Sequence, residues 1–472
     1  MRFDRLAGTA FTSLFLLFTA FTAIPTCVYP QTTPAYAAEV DDIAAKALVS
    51  TGVPGASLAI VKDGKLAYVH AYGKARIDPA QAAEPGMRYS IGSISKQFTA
   101  AAILLLAEDG KLALNDHVSK FVPGLTRGDE VTIRQILSHT SGYQDYWPQD
   151  YVPPFMLSQV NAQKILDIWA RKQLDFEPGT RWQYSNTNFV IAGLIVEKAS
   201  KMPFLDFLTQ RIFKPLGMTS VLNIDQSRLT ESDPTGYFRY ALGPPRVAPK
   251  EGKGWLFAAG ELAMTAEDLE KWNLSIIKQS LLKPASYKEL ETEVLLKDGS
   301  GSGYALGISV GRANGHRLLR HGGEVSGFTS SSVILPDDGM AVVVLTNQDA
   351  IDASGQIARG VVNRLLQISQ PLNAKEDANV KALLEGLAQG KLDRTLLSDN
   401  GNAYFSDTAI QDYMATLSSL GAIQGLQQTA TGSRGGMTFR NYTVHYASKA
   451  LGISIYELSE GKVEQFIVTP QD

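Results

Sequence analysis

The chain of 472 residues carries one cysteine, Cys27. A single cysteine closes no internal disulfide, and no Cys/His cluster has the spacing of a zinc site. An excess of one charge is missing too: 44 Lys and Arg stand against 47 Asp and Glu, for a formal net charge of −3. Without a basic field, no nucleic-acid partner is expected. No apolar run reaches the roughly 20 residues that cross a bilayer. Gly (41) and Pro (21) follow no repeat, which excludes collagen-like chains. At 44% hydrophobic and 19% charged, the composition fits neither a disordered chain nor a coiled coil. The Gly-x-Ser-x-Gly elbow is also absent, so an α/β-hydrolase reading lacks its central motif. What remains is a globular chain long enough for two or three domains.

The first 37 residues read as an address. Arg2 and Arg5 precede the apolar stretch Phe11 to Ile24, and Ala35-Tyr36-Ala37 is a small-x-small cleavage pattern. This predicts a secretory signal peptide over residues 1–37 and a periplasmic or extracellular protein. The stretch is short for a membrane anchor, and Ile24-Pro25-Thr26 does not suit lipoprotein processing at Cys27. Cleavage removes two cations and one anion, taking the net charge from −3 to −4. It also removes Cys27, so the mature chain has no thiol nucleophile.

Two domains are expected after that. Ala38 to Thr51 has a helical pattern. Ala56 to Ile60 and Lys65 to Tyr72 are strand-like around Lys62-Asp63-Gly64, a hairpin signal. Ser95 to Glu108, Thr132 to Ser138, Thr187 to Ala199 and Ala266 to Gln279 read as helices. Two loops rich in proline and aromatics, Tyr143 to Phe155 and Asp233 to Trp255, are long enough to frame a site. Strand character returns at Tyr304 to Gly311, Arg317 to His321, Gly327 to Leu335 and Met340 to Thr346. An amphipathic helix follows at Ser354 to Gln367. The fold class predicted is α/β (α+β): an antiparallel sheet built from both ends of the domain, flanked by helices, with a helical insertion, over residues 38–372. Gln370 to Ala378 reads as a linker. Residues 373–472 then form a small accessory α+β domain, with helices at Val380 to Leu387 and Thr408 to Leu420. Its strands are Met437 to Tyr446, Leu451 to Leu458 and Lys462 to Val468.

Three short motifs carry chemistry. In Ser93-Ile94-Ser95-Lys96, a serine and a lysine three apart at a helix start share one face. A serine hydroxyl needs a neighbouring base, and a lysine serves once burial lowers its pKa. The helix amino terminus favours an oxyanion nearby. The spacing alone says little: Ser275 to Lys278 and Ser280 to Lys283 repeat it in or just beyond the helix Ala266 to Gln279 rather than at its start, and a lone Ser93 is better read as a helix cap. Tyr184-Ser185-Asn186 is the one Tyr-x-Asn in the chain. A phenol relays a proton if nearby cations hold its pKa down; otherwise these are a loop tyrosine and a turn asparagine. His321-Gly322-Gly323 sits at a strand end, where two glycines let a substrate approach the backbone. There His321 is placed to donate to a carboxylate or polarise Tyr184, or is simply an edge histidine.

Together and in this order, the three motifs resemble the serine β-lactamase and penicillin-binding protein superfamily, on its class C β-lactamase and D-alanyl-D-alanine carboxypeptidase side. The resemblance runs from about Val40 to Ile368. Leu137 to Gly142, Pro178-Gly179-Thr180, Tyr184 to Asn188, Met264 to Leu269, and His321 to Phe328 with Leu335-Pro336 support it. It implies an acyl-enzyme on Ser93, with Lys96 as base, Tyr184 as co-base and proton shuttle, and Asn186 holding Lys96 and the substrate amide. The backbone N–H groups of Ser93 and Glu324 would form the oxyanion hole beside Gly322 and Gly323, and no metal or organic cofactor would be needed. The departure is His321, where β-lactamases of this kind usually carry lysine; histidine looks more like D,D-peptidases, D-amino-acid peptidases and esterases.

The function expected is a secreted serine hydrolase acting on an ester, amide or D-amino-acid peptide, a small-molecule or peptide substrate that includes peptidoglycan-derived ones. The competing readings are a β-lactamase proper, a cell-wall binding or sensor protein without turnover, and an adhesion module in the carboxy-terminal part. The small domain resembles cystatin-like or cone-shaped accessory domains, and its His445 reads as structural.

Overall fold

The computed structural model describes residues 34–147, 151, 153–240, 243–313, 315–366, 374–434 and 437–471. The predicted signal peptide and Cys27 lie outside these apart from residues 34–37, as do residues 370–373 of the predicted linker.

Apolar alternation and turn chemistry build a seven-stranded antiparallel sheet. Its strands are β1 (Gly55–Lys62), β2 (Lys65–Arg76), β3 (Gln81–Ala82), β4 (Ser309–Ala313), β5 (His316–Val325), β6 (Phe328–Leu335) and β7 (Met340–Thr346). Their order is β3-β2-β1-β7-β6-β5-β4. The β1–β2 turn is the expected Asp63-Gly64, both at positive φ (52° and 66°), the geometry that matches strand twist. At the centre β1 pairs with β7, Ala56 opposite Thr346. Strands buried on both faces read as continuous apolar runs, and Met340–Thr346 is buried throughout.

Helices cover both faces. On one, α1 (Ala37–Thr51) packs with a helix near the domain's end, Ala353–Leu365, around Val40, Leu58, Val344 and Ile357. On the other lie α2 (Ser95–Glu108), α3 (Asn186–Ser200) and α4 (Ala266–Lys278), with Phe98, Phe189 and Trp272 in the larger core. Helix α2 is buried along nearly its whole length, because Ala and Leu occupy most of its surface and leave no polar face. The strand expected at Tyr304 to Gly311 begins only at Ser309, and Tyr304 forms an isolated antiparallel bridge to Ser309.

Residues 374–471 contain α5 (Ala374–Ala388), α6 (Asp407–Ser418) and a four-stranded antiparallel sheet of β8 (Gly425–Arg434), β9 (Met437–His445), β10 (Ala450–Glu457) and β11 (Val463–Gln471). Leu384, Phe405, Tyr442 and Ile455 share an apolar cluster of this segment's own. The helix starts earlier than expected, so Ala374 to Ala378 are helical rather than linker. Strand β8 was not foreseen: its Gln-Gln-Thr and Gly-Ser content gives no alternation, which an edge strand can do without. Among the described residues, no helix is long and apolar enough to cross a membrane.

Candidate active site

The segment that carries Ser93 is a short 3-10 turn, Gly92–Ile94, running into α2. Ser93 therefore precedes the α-helix rather than sitting in its first turn, and Lys96 lies one turn on. Lys96 is fully buried. Its Nζ donates to Ser93 Oγ at 2.9 Å, Asn186 Oδ1 at 2.8 Å and Ala259 O at 2.8 Å. Burial pulls its pKa down to about 7, against a smaller upward pull from Asp145. A lysine that is partly neutral at pH 7, within hydrogen-bond reach of a serine hydroxyl, is a competent general base.

Tyr184 lies beside Ser93, whose hydroxyl acts to lower the phenol's pKa, and its ring lies 5.0 Å from Lys96 Nζ. Burial raises the phenol above its ordinary range, and the Ser93 hydroxyl offsets only part of that. This corrects the expectation of a phenol held down by cations: Tyr184 stays protonated, able to pass a proton along but not to act as a resident phenolate.

Asn186 opens α3 and holds Lys96 through its oxygen. Its Nδ2 donates to both oxygens of Asp145 at 3.2 Å, and its backbone N–H donates to Asp145 Oδ1 at 3.0 Å.

His321 was expected to donate to a substrate carboxylate or polarise Tyr184. Its ring lies 6.2 Å from that of Tyr184, centroid to centroid, but its hydrogen bonds go elsewhere. The Gly322 carbonyl 2.6 Å from Nδ1 can only accept, so Nδ1 carries the proton and Nε2 accepts the Tyr304 hydroxyl at 2.7 Å. Burial, helped by the Lys96 charge, lowers its pKa to about 4. His321 is thus neutral through the physiological range, more firmly than a free histidine near 6.5.

The glycines around it have geometric work. A Cβ on Gly323 would sit 1.9 Å from the Ile91 carbonyl oxygen, and one on Gly92 (φ +50°) 2.6 Å from the Glu324 nitrogen. Both glycines let β5 lie against the Ser93 turn and bring the Glu324 amide beside it. Gly322 is different: its Cβ would meet nothing closer than Ser330 O at 3.6 Å. Gly323→Ala is therefore expected to cost about 1–3 kcal/mol of stability as an overpacked site, and Gly322→Ala distinctly less. Thermal melts of the two variants decide it; equal losses would mean that the β5 contact yields easily.

Ser93, Tyr184, Asn186, His321, Gly322, Gly323 and Glu324 all line one cleft of about 1310 Å³, and Lys96 lies behind Ser93. The decoy Ser275 is buried with its hydroxyl on Trp272 O. Three site residues escaped sequence reasoning. Asp145 lines the cleft from within a loop flagged only by composition. Tyr304 fixes His321. His139, in the supporting run Leu137 to Gly142, accepts the Ser185 N–H on Nδ1 at 3.1 Å and stacks on Tyr184 with ring centroids 4.2 Å apart. It braces the Tyr-x-Asn turn from behind.

The beta-lactamase family model matches residues 40–366. The chain belongs to the beta-lactamase family. Among its relatives, protein flp of Staphylococcus aureus (strain MRSA252) is 31% identical over 323 residues, covering 66% of this chain and 62% of flp. The match therefore spans less than two thirds of that relative. An octameric penicillin-binding protein homologue from Pyrococcus abyssi shares the fold across 92% of this chain and 98% of its own, with a TM-score of 0.64 at 20% identity. A D-stereospecific amidohydrolase from a Streptomyces species has a TM-score of 0.61 at 28% identity, over 69% of this chain and 97% of its own. The family match ends at residue 366, so it rests on the larger sheet and its helices.

Proposed function

We propose that this chain is a secreted serine hydrolase that works through an acyl-enzyme on Ser93 and cleaves an ester, amide or D-amino-acid peptide bond. The observation that carries the reading is the buried Lys96 Nζ 2.9 Å from Ser93 Oγ. Neutral Lys96 takes the Ser93 proton as the oxygen attacks the carbonyl. Tyr184, which lines the cleft with Ser93, passes a proton to the leaving group. The Ser93 and Glu324 amides receive the oxyanion, and water then releases the acyl group. The similarity to a D-stereospecific amidohydrolase supports an amide-directed member of the family. The amino-terminal leader read from the sequence supports export. A fluorophosphonate probe should form an adduct that peptide mass mapping places on Ser93; an adduct on another residue would overturn the mechanism.

His321 supports neutral substrates over carboxylate-bearing lactams. Without a proton it offers little pull on an anion, and its pKa of about 4 keeps it so from pH 5 to 9. His321→Lys should raise the ratio of cephalosporin to neutral-ester hydrolysis, modestly, because the longer lysine also takes the Nε2 acceptor from Tyr304. A ratio unchanged at every pH would remove His321 from substrate recognition.

A further inference from the structure

Asp145 stands in the cleft with no cation in hydrogen-bond contact among the described residues. Its four hydrogen bonds with described residues come from neutral amides: Oδ1 accepts Trp147 N at 3.2 Å, Asn186 N at 3.0 Å and Asn186 Nδ2 at 3.2 Å, and Oδ2 accepts Asn186 Nδ2 at 3.2 Å. Lys96 acts on it electrostatically from the far side of the Asn186 amide, whose oxygen it occupies. Amides at the start of a helix stabilise a carboxylate but do not neutralise it, and a part-buried charge is costly until paired. Burial outweighs those bonds and raises the carboxyl above its ordinary range.

The position of this carboxylate is as informative as its charge. Ser93 Oγ, Lys96 Nζ, Asn186 and Asp145 form a chain of contacts at 2.9, 2.8 and 3.2 Å, and Ser93 and Asp145 line the same cleft. In an α-amino-acid derivative the nitrogen stands one carbon from the carbonyl, so an acyl group attacked by Ser93 carries its amino group into this neighbourhood. The rest of the wall agrees in sign. Glu324, Asp349 and Asp352 also line the cleft, against Arg239, whose guanidinium is tied to the Thr51 carbonyl. A concave wall with excess negative charge concentrates cations and repels carboxylates.

We propose that Asp145 is the subsite for a free ammonium on the acyl side of the substrate, which makes the preferred substrate class α-amino-acid amides, esters or peptides with an uncapped amino terminus. This rests on the Ser93 mechanism above. Charge-assisted bonds of this kind correspond to about 10–100-fold in kcat/KM.

The test compares phenylalaninamide with N-acetylphenylalaninamide, both enantiomers of each, on the full mature chain. The free amine should be favoured by at least about tenfold, and Asp145→Asn should shrink that ratio to within about threefold. Equal or better use of the capped amide by the wild type would overturn the proposal. So would an unchanged ratio in Asp145→Asn, since Asp145 would then only cap α3. If the variant does not turn over, calorimetric binding to Ser93→Ala and to Ser93→Ala/Asp145→Asn decides in its place: the free amine should bind more tightly to the first and lose that advantage in the second. Failure of the mechanism itself would be seen separately, as p-nitrophenyl acetate hydrolysis that survives Ser93→Ala.

Discussion

Replacing Ser93 by alanine should lower kcat/KM by about 10⁴-fold or more, the scale seen when a hydroxyl nucleophile is removed. Ser275→Ala and Ser280→Ala should leave it within about twofold, because neither hydroxyl has a buried base beside it. All three share the Ser-x-x-Lys spacing, so the comparison isolates what the fold adds. Of the three, only Ser93 is held by a buried lysine, Lys96, and shares a cleft with Tyr184. Ester hydrolysis by purified variants is the measurement, and substantial turnover in Ser93→Ala would end the acyl-enzyme reading.

Lys96→Met should cost about 10²–10⁴-fold, the usual contribution of a general base. Because the base must be neutral, wild-type kcat/KM should climb with pH through about 7, where burial places the lysine, and the variant should lose that limb. No descending limb from Tyr184 is expected in the neutral range, since its phenol is raised rather than lowered. Stability should rise with pH as well. Lys96 is held well below its ordinary 10.5, so between about pH 7 and 10.5 the unfolded chain binds a proton that the folded chain has released. Wild-type stability therefore rises with pH through that window, and the full cost of the buried charge is felt below it. Methionine removes this cost and leaves the Ala259 carbonyl without its donor, about 1–3 kcal/mol. The melting temperature of the variant relative to wild type should fall between pH 6 and pH 9. A flat difference would mean that the lysine titrates near its free value.

The residues that could be read in advance are those whose role is written locally. Asp63-Gly64 demands its hairpin wherever it stands. Ser93 and Lys96 share a turn, and Tyr184 and His321-Gly322-Gly323 occupy positions that neighbouring secondary structure determines. Asp145, His139 and Tyr304 act across the chain, 41, 46 and 17 residues from their partners. Nothing in a loop sequence says which backbone amide it will meet. The protonation states were hidden for the same reason. The expected direction for Tyr184 was wrong because burial, a property of the packed fold, outweighs the lowering influence of the Ser93 hydroxyl. Strand β8 stayed invisible because pairing with β9, rather than its own apolar pattern, makes it a strand.

The pairing of β1 with β7 sets an order of assembly. Gly55 N–H meets Asn347 Oδ1 across 292 residues of chain, so the middle of the sheet stays open until its last strand has been made. At about 5–20 residues per second, a ribosome takes roughly 15–60 s to travel that far. For that time the first hairpin waits with Leu58 and Ile60 uncovered, and Ser93 and Lys96 exist as an unformed pair. The Glu324 amide is synthesised some 230 residues after the nucleophile, on a strand that docks only when the seam closes. Hydrolytic competence would thus arrive late and all at once, and a chain cut short before Thr346 would carry its serine with no formed site around it.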